Sequence, residues 1–226
     1  MLKVILFDVN GTLLDTHALQ PEFKKIFGES VSVREWFLEV LQHTLVMNEV
    51  GEYLPLNEIA EAVLRMTAAS RGQQLGPDEL ETVRKKLASL PPYADVKVAL
   101  QRLKNSGLRL ATLTNSSEHS QEQQLQNAGL TDYFEKTLSV DLVQRFKPDP
   151  KTYRAAARAL DVEPENILMV AAHGWDVFGA IKAGCAGAFV ARPGQAVFPL
   201  GPKPAFSADN LIELSDQIIK HQLGKR

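Results

Sequence analysis

The chain has 226 residues, a formal net charge of −2, 45% hydrophobic residues and 23% charged ones. That length suits one domain with a sizeable insertion, the apolar share is ample for a packed core, and the near-neutral charge gives no basis for binding nucleic acid or an anionic membrane. A single cysteine, Cys185, excludes an intrachain disulfide and fits a reducing compartment. No apolar run reaches membrane-spanning length, and the run at 1–7 is too short for a signal segment, so a cytoplasmic enzyme or binding protein is expected.

Residues 3–7 are apolar at nearly every position, the pattern of a strand buried on both faces. The run stops at Asp8, and Val9-Asn10-Gly11-Thr12 follow before apolar residues resume. A carboxylate at the tip of a buried strand faces the crevice where α/β sheets bind ligands. Two positions on, where a proton-donating acid could stand, Asn10 offers an amide, which donates hydrogen bonds but is no general acid.

From 16 to 91 three helical stripes follow one another without a convincing strand. Val33, Trp36, Phe37, Val40 and Leu41 share one face; Leu56, Ile59, Ala60, Val63 and Leu64 the next; Leu80, Val83, Leu87 and Leu90 the third. Pro91-Pro92 closes this block, since neither residue continues a helix.

Beyond it helix and strand alternate: helix 94–105, strand 108–113, helix 117–128, strand 137–140, helix 150–160, strand 167–171, helix 175–183, strand 188–191 and helix 209–220. The Pro/Gly-rich stretch 192–204 reads as a loop over the site rim. The pattern predicts an α/β fold: a doubly wound parallel sheet forming a Rossmann-like core of 1–15 and 92–226. A helical cap, 16–91, is inserted above the first strand.

In a parallel sheet the residues just after each strand converge. Here they are Asp8 to Thr12, Thr114-Asn115-Ser116-Ser117, Lys147 in a loop stiffened by Pro148 and Pro150, and His173 to Asp176. One cation aimed at a carboxylate keeps it ionised and attracts an anionic ligand.

Four segments in order, Phe7-Asp8-Val9-Asn10-Gly11-Thr12-Leu13, Leu113-Thr114-Asn115-Ser116, Phe146-Lys147-Pro148-Asp149 and Val170-Ala171-Ala172-His173-Gly174-Trp175-Asp176, resemble the haloacid dehalogenase superfamily over essentially the whole chain. The last segment and the cap position resemble its type II L-2-haloacid dehalogenase branch. The resemblance implies that Asp8 is the nucleophile, that Thr12 and Asn115 orient it, and that Lys147 neutralises charge beside it. Asp176 would support Lys147 or position the hydrolytic water. Arg34, at the start of the first cap helix, would reach the leaving halide, and Tyr153 would stand near it. Asn115 joins Arg34 as a halide donor, while Thr114 and Lys147 are candidate donors to the substrate carboxylate. His173 is a candidate base for ester hydrolysis, and Trp175 a pocket wall. The branch carries Tyr, Ser, Ser and Asn where this chain has Asn10, Thr114, Ala171 and His173, departures that bear on substrate choice.

Most of the superfamily transfers phosphoryl groups with Mg²⁺. Those members usually place a second Asp two residues after the nucleophile and another four before the position of Asp176. Here those positions are Asn10 and Ala172. Halide leaves without a proton, so neither absence hinders carbon–halogen cleavage. The expectation is metal-independent hydrolytic dehalogenation of short 2-haloacids through an ester on Asp8, with no cofactor. An Mg²⁺-assisted phosphatase with its general acid replaced, and a non-catalytic small-anion binding protein, are the alternatives. The expected partner is a small anionic substrate, and an apolar cap is compatible with a homodimer.

Overall fold

In the computed structural model, which describes residues 2–224, the strand β1 (Val4–Phe7) has all four side chains fully buried. Residues 1, 225 and 226, the outer ends of the expected core, lie outside the described residues. The two-residue period of β1 sends Val4 and Leu6 into one apolar cluster and Ile5 and Phe7 into the other. Burying a large apolar side chain contributes about 1.5–3 kcal/mol. A strand loaded on both faces therefore belongs at the centre of a covered parallel sheet.

There β1 pairs in parallel with β2 (Arg109–Thr114) on one side and β4 (Ile167–Ala171) on the other. β3 (Lys136–Ser139), β5 (Ala186–Val190) and β6 (Phe206–Ala208) complete six parallel strands in the order β3-β2-β1-β4-β5-β6. The chain reverses its direction of winding between β1 and β4, which opens a crevice at their C-terminal ends. α5 (Val96–Asn105), α6 (Glu118–Ala128) and α9 (Leu211–Leu223) join the cluster of Ile5 and Phe7. α7 (Pro150–Ala159) and α8 (Gly174–Lys182) cover the Val4 and Leu6 face.

Between β1 and α5 come a 3₁₀ turn (Thr16–Leu19) and four helices: α1 (Gln20–Phe27), α2 (Val33–Val50), α3 (Leu56–Ala69) and α4 (Pro77–Ala88). Ser32 and Glu35 form a reciprocal capping box that starts α2, and Gly51 at φ 79° ends it. The last three helices carry the three stripes read from the sequence. α1 and the preceding turn were not anticipated, because eight residues with only Phe23 and Phe27 buried hold too little periodicity. β6 was likewise absent from the expectation: it is a three-residue edge strand just after the Pro/Gly-rich stretch.

The two ends of this helical insertion are pinned side by side. Asp15 N–H donates to Pro91 O at 2.8 Å and Tyr93 N–H to Leu13 O at 3.0 Å. A second attachment lies on α2, where Asn48 accepts from Phe146 N–H and donates to Phe146 O. A third joins Gln124 of α6 to Leu87 O of α4. The helices therefore sit over the crevice. The 192–204 loop packs on the start of α8, where a Cβ on Gly174 would lie 3.0 Å from Phe198 N. Among the described residues no helix is long and apolar enough to cross a membrane.

Candidate active site

Asp8 follows β1 directly, and its N–H still joins the ladder through Val170 O at 3.0 Å. The carboxylate is thus held by sheet backbone. The next turn is tight: Gly11 has φ 77°, and a Cβ there would sit 3.0 Å from the His173 ring, so the position needs glycine. That turn brings Thr12 back to donate its hydroxyl to Asp8 Oδ2 at 2.7 Å, while Thr12 Oγ1 accepts Ala172 N–H at 3.0 Å. His173 Nδ1 lies 3.0 Å from Oδ2 as well. An ionised carboxylate only accepts, so this ring nitrogen carries its hydrogen.

Lys147 Nζ occupies the other side of Asp8. It donates to Asp8 Oδ1 at 2.8 Å, to Asp176 Oδ2 at 2.7 Å and to Leu113 O at 3.0 Å. All three ammonium hydrogens are engaged, so Lys147 acts on Asp8 and offers none directly to a ligand carboxylate. Asp176 is fully buried, and its Oδ1 accepts the Tyr153 hydroxyl at 2.6 Å.

The electrostatics follow from this arrangement. Burial alone would raise Asp8, but the Lys147 charge and the His173 hydrogen bond outweigh it and hold the carboxyl well below the usual range. Asp176 moves the other way, raised by burial and by the nearby Asp8 charge more than Lys147 lowers it. Burial disfavours the Lys147 ammonium, yet the two carboxylates raise it above its ordinary value. Of the two carboxyls, Asp8 is the one that gives up its proton more readily.

A small cavity of about 20 Å³ touches Asp8, Asn10, Thr114, Asn115, Lys147, His173 and Trp175, with Phe37, Leu41 and Leu56 from the helical block above. His173 stacks on Trp175 at 5.3 Å and packs against Phe37 at 5.8 Å. Asn115 Oδ1 accepts Lys147 N–H at 2.9 Å, so this side chain fixes the lysine loop, not Asp8 as the sequence suggested. Its NH₂ group is left for the cavity. Thr114 Oγ1 accepts Ser116 N–H at 3.1 Å.

Two expected ligand contacts are placed elsewhere. Tyr153 is fully buried behind Asp176 and lines no part of this cavity, because α7 faces it into the sheet. Arg34 is exposed at the first turn of α2, beside Gly194 of the 192–204 loop, and does not line the cavity. Asn10 is turned aside: its Nδ2 donates to Ser116 Oγ at 3.0 Å and its Oδ1 accepts from Gln124 at 3.1 Å.

A family model described as haloacid dehalogenase-like hydrolase matches residues 2–184. The (S)-2-haloacid dehalogenase of Pseudomonas putida is 32% identical over 218 residues, 95% of this chain and 96% of that protein. Haloacetate dehalogenase H-2 of Moraxella sp. is 31% identical, covering 91% and 93%. The L-2-haloacid dehalogenase of Xanthobacter autotrophicus, solved with chloropropionic acid covalently bound, superposes with a TM-score of 0.89 at 25% identity, covering 96% of this chain and 98% of that one.

The chain belongs to the haloacid dehalogenase-like hydrolase family.

Many haloacid dehalogenase-like hydrolases use Mg²⁺, and the donor set here decides whether that ion fits. Mg²⁺ wants an octahedron of oxygens including carboxylates. Here the Lys147 ammonium already bridges Asp8 and Asp176, the second Asp176 oxygen is taken by Tyr153, and position 172 is alanine. Among the described residues no three His, Cys, Asp or Glu side chains gather around a common point. The residues present do not fit the ion.

Several contributors escaped the sequence reading. Gln124 is one, the partner of Asn10 beyond Ser116, and a buried glutamine on a polar helix was its available signal. Arg192 gave none: it lies in the Pro/Gly-rich loop, yet its guanidinium donates twice to Thr12 O, pairs with Asp95 at 2.8 Å and stacks 4.1 Å from the Tyr93 ring.

Proposed function

We propose that the protein hydrolyses the carbon–halogen bond of 2-haloacids, as the (S)-2-haloacid dehalogenases it resembles are named for doing, through an ester on Asp8. The observation that carries this reading is the Lys147 ammonium set between Asp8 and Asp176 with Asn10 turned away. The site has an ionised nucleophile, an amide in place of a carboxylic acid at Asn10, and alanine at position 172. Halide is a weak base and leaves unprotonated, which matches this set and not phosphoester hydrolysis.

Asp8 Oδ1 has a single hydrogen-bond donor and attacks C2 of the substrate, while halide departs towards the Asn115 amide and the Trp175 ring on the cavity wall. Water then adds to the Asp8 carboxyl carbon. Negative charge gathers on Oδ2, where Thr12 and His173 stand 2.7 and 3.0 Å away as donors. In this reading His173 stabilises the oxyanion and is not the base first expected. As the Cγ–Oδ1 bond breaks, one proton of the attacking water passes to Oδ1, releasing a 2-hydroxyacid, and the other is lost to solvent as the Asp8 carboxylate is restored. The helical block acts as a cap that excludes bulk water. The covalent chloropropionic acid of the Xanthobacter relative supports the ester route.

The test is a panel of 2-haloacids and phosphate monoesters with and without EDTA, reading both released anions. Halide release that survives EDTA is expected; phosphate release alone would overturn the reading. Turnover in oxygen-labelled water should place label in Asp8, and an unlabelled Asp8 would mean direct attack by water.

A further inference from the structure

Beside the cavity at Asp8 lies a second and much larger one, a chamber of about 260 Å³ between the helical block and the core. Leu19, Val33, Trp36, Val40, Ala60 and Leu87 give it an apolar wall, and exposed Arg84, His119 and Gln123 line it as well. A dry apolar cavity of about 150 Å³ already holds benzene.

The chamber adjoins the reacting centre and shares walls with it. Asn10, Phe37 and Leu56 line both spaces, and the Asn10 amide is fixed on the chamber side by Ser116 and Gln124. The space at Asp8 is about 20 Å³, room for about one water, so it has no room for a carbon chain on C2. Such a chain would reach the chamber past Asn10 and Phe37, the walls the two spaces share.

Resting on the dehalogenase reading, we infer that the chamber is a substrate subsite for the carbon chain on C2, extending the substrate class from short 2-haloacids to 2-haloalkanoates of about six to eight carbons. The chain lies against Trp36, Val40 and Ala60, and the carboxylate stays at Asp8. Each buried methylene is worth about 0.8 kcal/mol, which is about fourfold in kcat/KM.

The experiment measures halide release from 2-bromoacetate, -propanoate, -butanoate, -hexanoate and -octanoate. Expected is a kcat/KM that climbs about threefold to fourfold per carbon up to about six carbons and then levels. A flat or falling series would overturn the subsite while leaving the dehalogenase reading in place. No halide from any acid would overturn the dehalogenase reading itself. Unhalogenated alkanoates as competitive inhibitors give a second measurement, with Ki falling along the same series; a Ki independent of length counts against the subsite. Ala60→Phe fills the chamber and should lower the hexanoate-to-acetate ratio of kcat/KM at least tenfold; an unchanged ratio in the folded variant would also overturn it.

Discussion

Lys147 holds two carboxylates that would otherwise repel each other at close range in a dry site. Lys147→Met leaves Asp8 and Asp176 buried without their cation, a loss of about 3–5 kcal/mol by analogy with other broken buried pairs. Both carboxyls should then take up protons more readily, so halide release at neutral pH should vanish, and denaturant titration should show the stability loss. Lys147→Arg should not rescue it, because a planar guanidinium cannot reproduce three divergent bonds from one nitrogen. Tyr153 acts at one remove. Its hydroxyl lowers the proton affinity of Asp176, so Tyr153→Phe should move the acidic limb of kcat/KM to higher pH and reduce stability by about 1–2 kcal/mol. A pH–rate profile unchanged from the parent would show that the tyrosine only fills space.

At the scale of elements, α8 and the Lys147 loop meet at a point where no side chain fits. A Cβ on Gly179 would lie 2.8 Å from Tyr153 Oη and 2.9 Å from Pro148 Cα. Gly179→Ala must therefore push the helix off the loop, with an overpacking loss of about 1–3 kcal/mol. Because that loop carries Lys147, kcat should fall along with the melting temperature. A variant with lowered melting temperature and full kcat would mean that the loop keeps its place independently of α8. On the opposite flank, Arg192 holds the carbonyl of Thr12. The turn after β1 is thus held from beyond β5 by Arg192 and from the end of β4 by Ala172 N–H.

For the whole molecule, the depressed Asp8 sets the response to acid. Its ionised form stabilises the folded state above the unfolded carboxyl value of about 3.9, and that contribution is lost as pH falls below it. Asp176, raised in the fold, gives no such contribution there. Lys147, also raised, stabilises below its unfolded value of about 10.4 and loses that only as pH climbs through the higher folded one. Stability should therefore be level near neutrality and drop below about pH 4, and Asp8→Asn should flatten that drop. Urea midpoints at several acidic pH values check it; equal slopes in both proteins would assign the acid limb to other groups.

The central strands β1 and β4 were legible because they are apolar at every position, and β1 stops at an acid. The strand tips that meet in the site were legible for the same reason, since parallel topology alone brings Asp8, Thr114, Asn115 and His173 together. What a side chain turns towards was not. Tyr153 on α7 and Asn115 after β2 have their partners chosen by packing between distant segments, and Arg192 reaches Thr12 across 180 residues of sequence. The chamber is equally invisible in one dimension, because its walls come from five separate stretches of chain that each read as ordinary core.

Asn48, which grips both backbone polar groups of Phe146, gives the helical block a second fixed point besides the paired linkers at Asp15 and Pro91. The Gln124 bond to Leu87 O ties it a third time. Of these ties only the one at Asn48 ends on the segment that leads into Lys147, so the seat of the helices and the seat of the ammonium are set by one side chain. Asn48→Ala should therefore speed amide exchange in α2 and in the Lys147 loop together; faster exchange in α2 alone would mean that the loop is held independently of the helices.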